Sequence, residues 1–230
     1  MIQEDIVKKF FRGTGGSYDL IVNLFTYGAD VYWKRQILSK IVRPKQILDL
    51  ACGTGILTSK LARKFPQSKM IGVDMMFEYL IEGRKKNLPG SGKIVQWICG
   101  RAEEVKLHQT FDCITASYLP KYLPAQILLK NITPLLKDDG ILVLHDFTYP
   151  TKAIFRKLWH LHVFWMKRLG SPLFPEWRTV FDELDELICQ SQWLSEYESE
   201  LRKHGIVDIK TQHLTAGSAA ILSARKKIVS

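Results

Sequence analysis

The stretch Leu48-Asp49-Leu50-Ala51-Cys52-Gly53-Thr54-Gly55 constrains the fold more than any other part of this chain. The apolar run Ile47 to Leu50 reads as a short buried strand, and helical periodicity resumes from Ile56 to Phe65. A strand that passes through a glycine turn into a helix is how a doubly wound sheet begins. In such sheets ligands bind outside the carboxyl ends of the strands. Gly53 and Gly55 have no side chain, so a ligand can come close to the backbone. No Gly-Lys-Ser/Thr follows, which excludes the Walker pattern. Thr58 stands where a dinucleotide fingerprint would have its third glycine. The turn therefore favours a nucleoside-sized ligand without a pyrophosphate. A second apolar run, Met70 to Asp74, ends on an acid 20 residues after Thr54. A carboxylate there can accept hydrogen bonds from two ribose hydroxyls.

The same rhythm continues. Phe77 to Asn87 is expected as a helix, Pro89-Gly90-Ser91-Gly92 as a loop and Lys93 to Cys99 as a third strand. Phe111 to Ser117 is expected as a fourth strand, Ala125 to Leu136 as a helix and Ile141 to His145 as a fifth strand. Strands alternating with helices imply βαβ units and a parallel sheet covered on both faces. Before residue 45 the chain is helical, broken at Gly13-Thr14-Gly15-Gly16. After Pro150, helices are expected over 153–169, 180–190 and 196–204. Ser195 with Glu198 suggests a capping box for the last of these, and Gly205 its terminator. Ile206 to Lys210 and Ala219 to Ala224 read as a final antiparallel hairpin. The expected fold class is thus α/β, Rossmann-like and doubly wound, with a mostly parallel seven-stranded sheet and an antiparallel C-terminal hairpin. One domain is expected over 1–230, with a helical lead-in at 1–45 and a helical lid over the substrate at about 150–204.

Composition narrows the partners. The formal charge of +10 favours an anionic partner or surface. Cys52, Cys99, Cys113 and Cys189 form no CxxC pair, so neither zinc nor redox chemistry is suggested. His160 and His162 are two apart on a helix and face apart, so no metal site is expected. No apolar leader is visible in Met1 to Arg12, and a cytoplasmic location is expected.

Further motifs bring a family into view. Tyr18-Asp19-Leu20-Ile21-Val22-Asn23 is followed by Gly28 and Trp33-Lys34-Arg35. With the glycine loop, Phe111-Asp112-Cys113-Ile114-Thr115 with Ser117, Asp146-Phe147-Thr148 with Pro150, and Leu214-Thr215-Ala216-Gly217, this resembles the ubiquinone/menaquinone biosynthesis C-methyltransferases. That family lies among the class I S-adenosylmethionine-dependent methyltransferases. The resemblance spans nearly the whole chain. It implies that S-adenosylmethionine is the cofactor and S-adenosylhomocysteine the product. Thr54 with Gly53 and Gly55 would then line its methionine part, and Asp49 on the strand and Ala51 in the turn would be cofactor-binding as well. Asp74 with Met75 would hold the ribose side, Arg101-Ala102 would flank the adenine, and Ser117 would sit at the methyl end. Tyr18 and Lys34 would reach the cofactor carboxylate.

Two departures concern the acceptor. The family continues from the serine with Phe-Gly-Leu-Arg-Asn, whereas Ser117 is followed by Tyr118-Leu119-Pro120-Lys121-Tyr122. Lys121 thus replaces an arginine, and the two are not interchangeable. His145-Asp146 stands where the family more often has an apolar residue and Glu. Tyr118, Lys121, His145 and Asp146 are the candidate catalytic groups, the last two as acceptors for a ring proton.

The expected activity is C-methylation of a polyprenylated quinone-type ring or a related isoprenoid lipid. O- or N-methylation of a soluble small molecule is the alternative. RNA methylation and a non-catalytic cofactor-binding role rank below both. The expected partner is a prenylated or otherwise apolar acceptor, nucleic acid is disfavoured, and a homodimer is left open. The helix 153–169 carries Ile154, Leu158, Leu161 and Trp165 at helical spacing with Arg156, Lys157, Lys167 and Arg168 at its ends. Such a helix suits peripheral contact with the inner face of a membrane.

Overall fold

Alternate residues of the first strand feed opposite cores, and this settles where the helices go. The computed structural model describes residues 2–86 and 95–227. β1 (Gln46–Leu50) lies between β2 (Lys69–Asp74) and β4 (Phe111–Ser117), parallel to both. Leu48 and Leu50 enter one core with α6 (Ala125–Ile132) and α10 (Trp193–Lys203). Ile47 enters the other with α3 (Ala29–Ser39) and α4 (Ile56–Lys64). The sheet order is β3-β2-β1-β4-β5-β7-β6. β3 (Val95–Cys99), β2, β1, β4 and β5 (Leu136–Phe147) are parallel, and β7 (Ala219–Lys226) is antiparallel to β5 and β6 (Ile206–Leu214). This is the expected mixed seven-stranded sheet with its C-terminal hairpin. The chain winds outward from β1 to β3 and returns to β4, so the carboxyl ends of β1 and β4 flank the switch point.

A third apolar layer covers that edge. It draws on α1 (Ile2–Phe11), α2 (Tyr18–Phe25), α7 (Ala153–Trp165) and α9 (Arg178–Gln190), through Phe10, Ile21, Trp159 and Phe181, and on Trp177 in the turn before α9. A short π-helical turn, Met166–Gly170, links α7 to α8 (Ser171–Leu173). A Cβ on Gly170 would lie 2.8 Å from the Phe181 ring, so only glycine lets this turn pack on α9.

Several boundaries differ from the sequence expectation. The helix expected to reach Leu136 ends at Ile132, where Thr133 Oγ1 donates to the Leu129 carbonyl and Leu136 opens β5. The hairpin strands are longer than expected, and their connection shrinks to the turn Thr215–Gly217. The Ser195–Glu198 capping box does not form. α10 starts at Trp193, Ser195 Oγ donates back to the Gln192 carbonyl, and Glu198 accepts from Thr211. Gly205, at φ 67°, follows the end of α10 as expected. β5 runs on past His145 to Phe147, so Asp146 too lies inside the strand. α5 (Phe77–Lys86) precedes the expected loop Pro89–Gly92, which lies outside the described residues.

Candidate active site

Asp74 ends β2 with each carboxylate oxygen on a backbone amide. Gly53 N–H donates to Oδ2 and Met76 N–H to Oδ1, both at 2.8 Å. These bonds tie the glycine turn after β1 to the turn after β2 and leave lone pairs for a ligand. Burial pushes the Asp74 carboxyl up to about 6, against the pull of the two amides. Asp49, one strand over, is also raised to about 6 by burial. It accepts from Thr58 Oγ1 at 2.6 Å and Thr115 Oγ1 at 2.7 Å, bracing α4 and β4 against β1.

A cavity of about 90 Å³ opens at the switch point. Tyr18, Ala51, Gly53 and Asp74 line it, and so do Met75, Ala102, Ser117 and Tyr118. Tyr79, Met76, Gly100 and Phe11 also line it and carried no sequence expectation. Their signal was weak: Phe11 lies on the lead-in and Tyr79 on α5, and Met76 and Gly100 lie in the turns after β2 and β3, so all four meet the site only through folding. Ligand sites are typically about 300 Å³ or more. The lead-in is folded down here: Phe11 and Tyr18 pack on Tyr79 at ring distances of 6.2 and 5.0 Å.

The other expected cofactor residues stand behind this wall. Thr54 is buried and donates to Asp19, which also pairs with Lys86. Gly55 has φ 75°, and the space where its Cβ would be is filled by Trp97 Cη2, at 2.8 Å. Arg101 bonds Glu103 beside the cavity. Lys34 is 2 % exposed, donates to Ser117 Oγ at 2.7 Å, pairs with Asp30 Oδ1 at 2.8 Å and lies 4.1 Å over the Tyr118 ring. Asp30 also accepts from Tyr118 O–H at 2.6 Å. This carboxylate carried no expectation, although its position four residues before Lys34 on a helix is a readable pairing signal.

The four candidate catalytic groups form two buried clusters. Ser117 Oγ and His145 Nδ1 are 2.9 Å apart, extending the Asp30–Lys34 cluster into β5. His145 is fully buried, and its Nε2 has no hydrogen-bond partner among the described residues. Burial first, then the Lys34 and Lys121 charges, hold its imidazole well below the usual range, so it is neutral. Lys121 and Asp146 form the second cluster. Nζ meets Oδ1 at 2.8 Å and the Lys121 amide donates to Oδ2 at 3.0 Å. Burial lowers Lys121 while Asp146 supports its charge. Its ammonium lies 4.1 Å over the Tyr122 ring and faces a second cavity of about 50 Å³ lined by Tyr118, Phe147, Ile21 and Trp177. That cavity shares Phe11, Tyr18, Tyr118 and Tyr122 with the first.

A Rossmann-like sheet with a cavity at its switch point is common to many enzymes. The family model that matches decides among them: it is described as the ubiE/COQ5 methyltransferase family and covers residues 1–226. The chain belongs to that family. It is an S-adenosylmethionine-dependent methyltransferase. The chain is similar to the ubiquinone/menaquinone biosynthesis C-methyltransferase UbiE of Desulfotalea psychrophila, 32% identical over 152 residues, which are 64% of this chain and 61% of that protein. It is similar over 94% of its length to the demethylmenaquinone methyltransferase of Staphylococcus aureus, at 23% identity and 90% of that protein. The fold is shared with the plantazolicin methyltransferase BpumL, with a TM-score of 0.64, 14% identity and 99% and 100% of the two chains covered. It is shared also with the pyocyanin biosynthetic protein PhzM, with a TM-score of 0.65, 15% identity, and 96% and 61% covered. The residues at the switch point fit the family's cofactor. Asp74 keeps open lone pairs for ribose hydroxyls, and Gly53 presents bare backbone to the same cavity.

Proposed function

We propose that this enzyme methylates a ring carbon of a polyprenylated quinol. The observation that carries this is the buried ammonium of Lys121 facing an aromatic cavity that shares four walls with the cofactor cavity. S-adenosylmethionine supplies an electrophilic methyl group. Asp74, with Met75 beside it, would hold the ribose hydroxyls, Ala102 would flank the base, and Arg101 borders it through Glu103. Lys34, with Asp30, orients Ser117 at the methyl end and acts through it. Thr54, Gly55 and Asp49 shape the loop from behind. Lys121 favours an ionised ring hydroxyl, which enriches the neighbouring carbon in electrons. Tyr118 and Tyr122 hold the ring in line with the methyl group and exclude water. Neutral, enclosed His145 positions Ser117, and Asp146 positions Lys121.

The enzyme would meet its lipid acceptor at the inner face of a membrane. No helix among the described residues is long and apolar enough to cross one. α7 exposes Ile154, Leu158, Leu161 and Trp165, each about half accessible or more, beside basic Arg156 and Lys157. Apolar area with cationic flanks suits an anionic interface.

A second reading, O- or N-methylation of a soluble molecule, is favoured by Lys121 standing in place of the family's arginine. Methyl transfer from labelled cofactor separates the two. The expected outcome is a C-methylated product from a prenylated naphthoquinol or benzoquinol in detergent. Transfer only to soluble phenols or amines would establish the second reading.

A further inference from the structure

We propose that the cavity between the α2–α3 turn, α7 and the β6–β7 turn binds the linear isoprenoid chain of the acceptor and leads it out beneath α7. This rests on the acceptor being prenylated. The cavity holds about 280 Å³ and has Trp33, Trp159, Phe155, Leu158 and Pro150 among its walls. It shares Phe25, Thr26 and Phe147 with the cavity over Lys121, which in turn adjoins the cofactor cavity. The three form one row, from the methyl donor past the ammonium to the surface.

The wall chemistry selects a hydrocarbon. No Lys, Arg, Asp or Glu lines the third cavity. Its polar groups bond to the protein. Thr26 Oγ1 donates to the Val22 carbonyl at 2.8 Å, Trp33 Nε1 donates to Thr215 Oγ1 at 2.7 Å, and Ser218 Oγ donates to the Thr215 carbonyl at 2.9 Å. Trp159 Nε1 donates to Asp185. A polar ligand would find few partners there, whereas an alkenyl chain needs none. The passage from the ring site is narrow. Phe147 stacks on Tyr118 at 5.0 Å and Phe25 on Phe181 at 6.0 Å, so these rings turn as the chain threads between them. At the outer end Leu158 is 53 % exposed, and Tyr27 is 78 % exposed with its hydroxyl 2.9 Å from His162 Nδ1. The outlet opens onto the apolar stripe of α7, so a chain longer than the cavity continues along a surface made of carbon.

The test uses the whole protein with S-adenosylmethionine and two acceptors sharing one quinol ring, one bare and one with a twenty-carbon isoprenoid chain. Leu158→Trp narrows the outlet. The expected result is a KM for the tailed acceptor raised roughly tenfold, with turnover of the bare ring and S-adenosylhomocysteine affinity unchanged. A second measurement does not depend on that variant. A tailed quinol ending in a diazirine, photolysed on the natural sequence, is expected to label residues 155–162 or 215–218. Equal effects on both acceptors, or label confined elsewhere, overturn the channel while leaving the ring chemistry standing. If the natural sequence methylates neither quinol, the acceptor assignment falls and the channel with it.

Discussion

Asp74 serves two structural amides and is expected to serve a ligand as well. Burial raises its carboxyl to about 6. Only the ionised form can accept from both ribose hydroxyls without presenting a proton to them. S-adenosylhomocysteine affinity is therefore expected to be flat above pH 7 and to weaken as pH falls through 6, measured by calorimetric titration. A flat profile down to pH 5 would contradict this. Lys121 and Asp146 give a second expectation. Lys121→Met leaves a carboxylate buried and unpaired, which costs about 3–5 kcal/mol. Adding Asp146→Asn removes the buried charge and keeps an oxygen for one of the two backbone amides, of Lys121 and Phe147, that Asp146 serves, so urea unfolding should show the double variant more stable than the single. Both should lose methyl transfer. The sequence made Asp74 readable because an acid ending a second strand has a recognised place in this sheet. It made Lys121 readable only as a departure from the family. Its partner lies 25 residues away in the chain, and no local pattern announces the pair. His145 looked like a proton acceptor from its chemistry alone. Its full burial depends on the antiparallel pairing of β5 with β7, which composition does not reveal.

The strand–turn–helix unit was legible because its periodicity changes sharply at the glycines. The use of Gly55 was not. Its missing Cβ makes room for Trp97, a residue on a strand two positions away in the sheet. Gly55→Ala is expected to destabilise by roughly 1–3 kcal/mol, from the positive φ and the steric contact together. Trp97→Leu in that background should recover the steric part and leave the backbone part, as measured by urea unfolding. Helix ends were less legible than helix positions. Leu136 suits a helix or a strand, and the hydroxyl of Thr133 closes α6 earlier. The π-helical turn after α7 depends on Gly170 meeting Phe181, a contact between separate elements.

The sheet as a whole was legible from the alternation of apolar runs and amphipathic helices. The helices of the layer above it were legible too, but not how they meet, because that layer joins α1 and α2 to α7 and α9 from the opposite end of the chain. That layer gives the molecule its apolar row of cavities and its exposed α7 stripe. Replacing Leu161 and Trp165 by Glu is expected to abolish co-sedimentation with anionic vesicles while leaving methyl transfer to a detergent-dispersed acceptor intact. Added salt should weaken the binding of the natural protein. Everything else rests on the switch-point cavity around Asp74 as the expected seat of S-adenosylmethionine. Calorimetric titration of S-adenosylhomocysteine into the natural sequence and into Asp74→Ala tests it most directly. Loss of charged hydrogen bonds worth about 1.5–3 kcal/mol each should weaken binding at least tenfold in the variant. Equal affinity in the two proteins would contradict it.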